Sequence, residues 1–312
     1  MTGASTGIGA ATAVALATAG WQVVAGVRDL SSAPDAPAPA QSMGGSIHPV
    51  RLDVTDPGSI TSAMAQVSEI LQGGSLTALV NNAGVGELSP MQTVPIEALR
   101  AVFEVNVFGA VAVTQAALRL MTTGSRVVFV GSVGDRITMP FGGPLTSSKW
   151  AIASAAEAFR LELAADGISV VLIEPGSIHT PAVDKVERAA QATAAQLAAE
   201  RPALARRFAA AAQRAVANER SGSTPQVVAD TIHRALATAR PKTRYLTGQH
   251  ARLLAGLGRL PDPVFDHLRL LLFGQPTRPE PPTRSTVTTG DAAHPSSRVG
   301  TPTTRPNSQE TR

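Results

Sequence analysis

Four short, valine-rich apolar runs stand out along the chain, separated by longer stretches of mixed polarity. They cover residues 21–27, 77–84, 125–132 and 168–176. Apolar runs of this length predict strands that are buried on both faces of a sheet.

Helical spacing of apolar residues fills the intervals between these runs. It predicts helices at 8–19, 58–72, 95–121 and 147–166. Strands that alternate with helices form a parallel sheet, because each helix carries the chain back to the same edge. We therefore predict an α/β fold in three layers, a doubly wound parallel sheet between two layers of helices.

The composition changes after the last of these runs. Residues 183–220 are rich in Ala, Arg and Gln and contain Pro202 as a breaker, which predicts two helices. A third helix is predicted at 224–239, and further helix follows up to residue 274. Residues 275–312 are rich in Pro, Thr, Ser and Arg and lack periodicity, so we predict a disordered tail. This organisation gives one domain over 1–260, a helical extension over 261–274, and the tail.

Composition and charge narrow the classes of function. Hydrophobic residues make up 44% of the chain and aromatic residues only 4%, so aliphatic side chains and alanine must fill the core. The sequence pI is 10.3, but the net charge of +4 is too small to mark a nucleic-acid partner. The chain has no cysteine, no apolar run of about 20 residues and no secretion signal. We predict a cytoplasmic protein with no membrane span and no metal site.

A glycine-rich stretch, "TGASTGIG" at 2–9, precedes the first predicted helix and contains Gly3, Gly7 and Gly9. Glycines let a backbone approach a pyrophosphate closely, and the free amides at the helix start attract its charge. A lone glycine cluster is weak evidence, because a tight turn without a ligand produces the same pattern.

Further motifs follow in a fixed order. They are "NNAG" at 81–84, Asn106 in "FEVNVFG", Ser132 in "VGSVG", Lys149 in "SSKWA" and "PGSIHT" at 175–180. Together with the glycine motif, this set resembles the short-chain dehydrogenase/reductase family over about residues 2–260. The resemblance implies a Rossmann-type fold, a nicotinamide dinucleotide cofactor and, over 183–220, a helical lid for the substrate.

The resemblance also implies which residues hold the cofactor. They are Gly3, Ser5, Thr6, Gly7, Ile8 and Gly9 for the phosphates, Asp53, Val54, Asn82, Ala83 and Gly84 for the adenosine, and Lys149, Pro175, Gly176, Ile178 and Thr180 for the nicotinamide half. For Asp53, an ordinary turn or helix-capping aspartate remains the alternative.

The end of the first predicted strand indicates the type of cofactor. Enzymes that prefer NAD place a carboxylate there to bind the ribose hydroxyls, but this chain has Val27 followed by Arg28. A guanidinium can bind a 2′-phosphate with paired hydrogen bonds. We predict NADP over NAD, with a solvated surface arginine as the alternative.

The expected catalytic tyrosine is absent. In the family it lies four residues before the lysine, and here that position is Leu145, whereas Ser132, Lys149 and Asn106 are all in place. Loss of a general acid typically costs about 10²- to 10⁴-fold in rate. A water molecule held by Lys149 is our preferred substitute. The family's first strand should also precede Thr2, so we expect the natural reading frame to begin upstream of Met1.

Apolar residues after Ser132 and in the 183–220 region suggest an apolar carbonyl or alcohol as substrate, although core packing explains the same residues equally well. Small residues on the helix around Lys149 favour a homodimer or homotetramer. Two functions stay open. The protein is an NADP-dependent oxidoreductase impaired by Leu145, or an NADP-binding pseudoenzyme with a regulatory or scaffolding role.

Overall fold

Parallel strands build the centre of the protein, and a computed structural model describes them within residues 1–278. The strands are β1 (Gln22–Val27), β2 (Ser46–Arg51), β3 (Ala78–Asn81), β4 (Arg126–Val130), β5 (Ser169–Pro175) and β6 (Arg244–Thr247). β1 pairs with β2, and the other four pair in the order β3–β4–β5–β6. Every one of these pairings is parallel, which confirms the predicted fold class.

The first residues of the chain join the two groups of strands. The amide of Gly26 donates to the carbonyl of Met1 (2.8 Å), and the amide of Thr2 donates to the carbonyl of Val80 (2.9 Å). The backbone at Met1 and Thr2 therefore lies between β1 and β3 and leads directly into the glycine-rich turn.

Helices cover both faces of the sheet. They are α1 (Gly7–Thr18), α2 (Ala38–Ser42), α3 (Pro57–Leu71), α4 (Ile96–Phe103), α5 (Ala110–Leu118), α6 (Gly143–Glu162), α7 (Ala182–Glu200), α8 (Pro202–Arg220), α9 (Pro225–Ala237), α10 (Ala251–Leu257) and α11 (Asp262–Leu272). Proline occupies the first turn of several of them, where its missing N–H has no helical partner to lose.

Alternate residues of each strand enter two separate cores. On β5, Val170 and Leu172 pack with α3, α5 and α6, whereas Val171 and Ile173 pack with α1 and α9. Burial on both faces explains why the strands read as unbroken apolar runs in the sequence. A third, smaller apolar cluster around Phe208 lies among α7, α8 and the segment before α6.

Two strands escaped prediction from the sequence. β2 and β6 each lie at one edge of the sheet, and they are short and polar, reading "SIHPVR" and "RYLT". An edge strand is exposed along one side and tolerates charge and proline, so it lacks the apolar signal of a central strand.

The single helix predicted over 95–121 was wrong in one respect. The stretch Ile96–Leu118 is continuously helical, but Glu104–Gly109, between α4 and α5, is wound as a π-helix. A π-helical turn inserts one extra residue per turn and is common at functional sites. Here it carries Asn106.

The same helical stretch, Ile96–Leu118, is long enough and, with a mean hydropathy of 1.5, apolar enough to cross a membrane by length and composition alone. Val113 and Ala117 within it are fully buried against the sheet of this protein. Core packing therefore accounts for the apolar residues on the face of this stretch that contacts the sheet.

The tail predicted over 275–312 lies outside the described residues from 279 onward. Its first residue, Gln275, is buried, and its side-chain amide donates to the carbonyl of Arg207 on α8 (3.0 Å). Residues Met1–Thr277, which include all the strands and helices described above, form one compact unit.

Candidate active site

The glycine-rich turn is too tight for any other residue at its key positions. Gly3 and Gly7 have φ angles of +64° and +55°, in the region that side chains disfavour. A Cβ atom on Gly9 would lie 1.9 Å from the carbonyl oxygen of Gly3, and one on Gly7 would lie 3.2 Å from Thr180. The turn therefore holds its shape only with glycines.

The end of β3 fixes this turn through hydrogen bonds. The Thr2 hydroxyl accepts from the amides of Asn82 (3.0 Å) and Ala83 (2.9 Å). The Asn82 side chain donates to the carbonyls of Thr2 (3.1 Å) and Gly3 (2.9 Å). Sequence reasoning had assigned Asn82 but had missed Thr2, which is 2% exposed.

The start of α1 leaves backbone donors open for an anion. Thr6 is the residue that precedes the helix, and its side chain makes no capping hydrogen bond. No acidic residue lies in the first turn; Thr6 and Ile8 flank Gly7, and Ser5 precedes Thr6. Free amides at a helix start bind phosphate groups well, so this turn fits a dinucleotide pyrophosphate.

A second cluster gathers Gly84, Asn106, Ser148 and Lys149. The Asn106 side chain accepts from the amide of Val85 (2.8 Å) and donates to the Val85 carbonyl (3.0 Å) and to the Ser148 hydroxyl (2.9 Å). A Cβ atom on Gly84 would lie 3.3 Å from Asn106 Oδ1 and 3.8 Å from Lys149 Nζ. The π-helical turn thus brings Asn106 next to the lysine.

The charge of Lys149 is costly at this place. Its ammonium donates to the carbonyl of Val130 at the end of β4 (3.1 Å). Burial disfavours the charged form and lowers the pKa of Lys149 to about 8, and the charge of Asp135 opposes that shift.

Ser132 and Leu145 lie on adjacent elements. Ser132 begins the short turn Val133–Asp135, and its hydroxyl oxygen accepts from the amide of Gly134 (3.0 Å), which leaves its proton free to donate. Leu145 is half-buried in the first turn of α6, which packs on this turn through Thr146. Leu145 has no titratable proton.

The adenosine end of the predicted site is made at the ends of β1 and β2. Val27 is buried, and Arg28 after it is exposed. Asp53 Oδ1 accepts from the Thr55 amide (3.0 Å) and hydroxyl (2.7 Å), bonds that hold the pKa of Asp53 below its usual value. The Asp53 carboxylate therefore stabilises the turn that contains it, which was the alternative to adenine binding. Val54, the next residue, packs against Gly109.

The segment after β5 is held by α8. A Cβ atom on Gly176 would lie 2.1 Å from the carbonyl oxygen of Gln249. The Ile178 amide donates to the Glu219 carboxylate (3.1 Å), and burial raises the pKa of Glu219. Pro175, the last residue of β5, and Thr180, which contacts Gly7, bracket this segment. Glu219 had no signal in the sequence.

Two buried acids, Asp135 and Glu174, lie near the lysine together with two partly exposed arginines, and sequence reasoning missed this cluster. Glu174 is 0% exposed and Asp135 is 3% exposed. Arg136 donates to both oxygens of Glu174 (2.6 and 2.9 Å), and Arg244 donates to one of them (2.9 Å). The one available signal was an acid inside the apolar run 168–176.

Comparison with known proteins agrees with this geometry. Residues 1–191 match the short chain dehydrogenase family model. An NADPH-dependent 3-dehydrocapnine reductase from Ornithobacterium rhinotracheale is 37% identical over 58% of this chain and 65% of its own length. Retinol dehydrogenase 5 of Mus musculus is 31% identical over 81% of each chain.

Among solved structures, a short chain dehydrogenase from Burkholderia cenocepacia in complex with NADP superimposes with a TM-score of 0.64. It is 25% identical, and the match covers 86% of this chain and 95% of the other.

Proposed function

Because the chain belongs to the short-chain dehydrogenase/reductase family, we propose that it is an NADP-dependent oxidoreductase that acts on an apolar carbonyl or alcohol. The observation that carries the proposal is the glycine turn at Gly3–Gly9, which Asn82 holds in place and which leads into a helix start with no side-chain cap and no acidic residue.

Each part of the cofactor has a group that fits it. The amides of the Gly3–Gly9 turn would hold the pyrophosphate. The backbone of Asn82–Gly84 would lie beside the adenosine ribose, and the Lys149 ammonium would bind the nicotinamide ribose. Thr180 holds the carboxamide. When bound, the nicotinamide supplies or accepts a hydride at the substrate carbon.

Arg28 supports NADP rather than NAD. The residue before it is the buried Val27, so no carboxylate competes for the ribose hydroxyls at the end of β1. The exposed guanidinium is free to bind a 2′-phosphate with charge-assisted hydrogen bonds. The names of two relatives, one NADPH-dependent and one solved with NADP, agree with this choice.

Without a tyrosine, other groups must deliver the proton that the substrate alkoxide needs after hydride transfer. The Ser132 hydroxyl donates to the substrate carbonyl oxygen, because its own oxygen already accepts from Gly134. A water molecule beside Leu145, held by the Lys149 ammonium, delivers the proton to the alkoxide. Such a donor is weaker than a positioned phenol, so we expect turnover reduced by about 10²- to 10⁴-fold.

An apolar substrate fits the surroundings of the site. The Phe141 ring lies edge-on to Phe208 of α8, with centroids 5.6 Å apart, and Leu88, Met139 and Val186 join this cluster. Retinol dehydrogenase 5, whose name specifies an apolar alcohol, is similar over most of this chain. Met139, Phe141 and Val186 are only partly buried, so we propose that these members of the cluster contact the substrate, with Phe208 packed behind them.

The second candidate is a pseudoenzyme that binds NADP without turnover, and Leu145 favours it because a leucine side chain cannot donate the proton. In either case we propose a cytoplasmic homo-oligomer. Its contact face would be α6, on which the large apolar side chains of Trp150 and Leu161 are 50% and 64% exposed.

One experiment separates the two candidates. NADPH binding is measured by fluorescence, and NADPH oxidation is followed over a panel of apolar aldehydes and ketones for the wild type and for Leu145→Tyr. Slow turnover by the wild type supports the oxidoreductase. Binding without turnover, restored by Leu145→Tyr, supports the pseudoenzyme, and absence of NADPH binding from a folded preparation refutes both.

A further inference from the structure

Two carboxyl groups lie side by side in the interior, on the α6 face of the sheet. Asp135 comes from the turn after Ser132, and Glu174 comes from the end of β5. Both are almost completely buried, with exposed fractions of 3% and 0%. Two buried carboxylates of like charge repel each other strongly unless one of them keeps a proton.

The surrounding arginines decide which of them keeps it. Arg136 and Arg244 make three hydrogen bonds to Glu174, with lengths of 2.6 to 2.9 Å. Neither oxygen of Asp135 has a hydrogen-bond partner among the described residues, and the nearest nitrogen of each arginine is 4.0 Å away. Glu174 is therefore the ionised member, stabilised by both guanidinium groups.

Asp135 is the member that stays protonated. Its burial, together with the neighbouring charge of Glu174, raises the pKa of Asp135 to about 8. The hydrogen bonds from Arg136 help to hold the pKa of Glu174 below its usual value. A protonated Asp135 can also share its proton with Glu174 in this dry environment.

Asp135 lies close to the active-site lysine. The Lys149 ammonium donates to the carbonyl of Val130 (3.1 Å), and a Cβ atom on the next residue, Gly131, would lie 3.3 Å from Asp135 Oδ2. The ammonium and the carboxyl group are thus separated by a short piece of backbone at the end of β4. Gly131 leaves that space free of side-chain atoms.

Four charged groups among the described residues lie close enough to Asp135 to affect its charge. They are Glu174 on β5, Arg244 on β6, Arg136 on its own turn and Lys149 on α6. For Lys149, the charged group that acts on it among the described residues is Asp135, because its other neighbours are the neutral Asn106, Gly84 and Val130.

We propose that Asp135 is a positioning residue for Lys149, whose carboxyl group sets the charge of the lysine ammonium at the cofactor site. An ionised Asp135 stabilises the ammonium, and a protonated Asp135 leaves it without a counter-charge. Glu174 acts one step further back, since its own charge keeps Asp135 protonated. The inference deepens the proposed function, because it assumes that Lys149 binds the cofactor ribose.

The chain makes this testable without any cofactor, because it has three lysines: Lys149, Lys185 and Lys242. Full-length protein labelled with ¹³C at lysine Cε gives three NMR signals, and Lys149→Arg identifies the one of interest. Lys185 and Lys242 are exposed and serve as internal references. The pH midpoint of the Lys149 signal reports its charge directly.

The two acids make opposite predictions for that midpoint. Asp135 begins to ionise near pH 8, the range in which Lys149 titrates, and Asp135→Asn removes this counter-charge, so the Lys149 midpoint moves down by up to about one pH unit. Glu174→Gln lets Asp135 ionise, so the midpoint moves up by a similar amount. Glu157→Gln on the exposed face of α6, where Glu157 pairs with Arg160, is the matched control and leaves the midpoint unchanged.

Opposite shifts separate an electrostatic role from a structural one, because mere loosening of the site would move both midpoints in the same direction. Unchanged midpoints in both acid variants, or shifts of the same sign, overturn the proposal. NADPH affinity is measured alongside. Opposite midpoint shifts in a protein that fails to bind NADPH would refute the proposed function while leaving the coupling of Asp135 to Lys149 intact.

Discussion

Replacing Gly9 by alanine gives the sharpest test of the glycine turn. Gly9 lies inside α1, where helix propensity alone would make alanine more stable than glycine by about 1 kcal/mol. The new Cβ atom, however, would lie 1.9 Å from the Gly3 carbonyl oxygen and 2.7 Å from Asn82 Nδ2. Ordinary van der Waals contact is at about 3.5 Å, so the new Cβ atom and the Gly3 oxygen must move apart by more than about 1 Å.

The expected cost follows from what that movement breaks. Overpacking of this kind costs about 1–3 kcal/mol. The Asn82 side chain also loses its hydrogen bonds to Gly3 and Thr2, at roughly 1 kcal/mol each. After subtraction of the helix gain, we expect Gly9→Ala to lower the free energy of unfolding by about 2–4 kcal/mol and NADPH affinity by at least about tenfold.

Chemical denaturation and a fluorescence titration with NADPH measure the two effects. Gly256→Ala is the matched control, since Gly256 also lies in a helix, α10, but its Cβ would meet no heavy atom within 4 Å. It should leave affinity unchanged and raise stability by up to about 1 kcal/mol. If Gly9→Ala bound NADPH as tightly as the wild type, the turn would not be the phosphate site.

Other variants probe the remaining parts of the account. Phe208→Ala should lower the free energy of unfolding by about 3–5 kcal/mol because Phe208 is fully buried in the lid cluster, whereas Phe108→Ala, at a side chain that is 57% exposed, should cost below about 0.5 kcal/mol; equal losses in urea unfolding would contradict the packing. Arg28→Ser should weaken NADPH binding by about tenfold or more and leave NADH binding unchanged, while Arg119→Ser, at the far end of α5, should change neither; equal losses for both dinucleotides would remove Arg28 from the 2′-phosphate site. Asp135 binds its proton more tightly in the folded state than in the unfolded chain, so between its ordinary pKa of 3.8 and its folded pKa of about 8 the wild type should lose stability relative to Asp135→Asn as the pH rises. A parallel pH dependence of the two unfolding curves would show that Asp135 is ionised throughout.

The central strands and the motif-bearing turns could be predicted from the sequence because their signal is local. β4 and β5 are buried on both faces and read as unbroken apolar runs, and the glycine motif needs its residue types at fixed spacing. β6 was missed because an edge strand of four residues leaves no such run. The period of the apolar pattern also could not reveal the π-helical turn at Asn106, since one extra residue hardly disturbs it.

The cluster of acids and arginines near Lys149 could not be predicted from the sequence, because its members are far apart along the chain. Asp135 and Glu174 are separated by 39 positions, and Arg244 by a further 70 from Glu174. Asp135 and Arg244 look like ordinary surface charges in the sequence, and Glu174 only like an unexplained acid in an apolar run. The register of β4, β5 and β6 brings them together. Thr2 and Glu219 were missed for the same reason, because each is defined by a partner distant in the chain.

The central claim is that the Gly3–Gly9 turn holds the phosphates of NADP. Isothermal titration calorimetry of the folded, full-length chain with NADPH and with NADH tests it most directly. We expect one NADPH site per chain, with weaker binding of NADH and strongly reduced NADPH affinity in Gly9→Ala. A folded protein that releases no heat and shows no affinity for either dinucleotide would contradict the account.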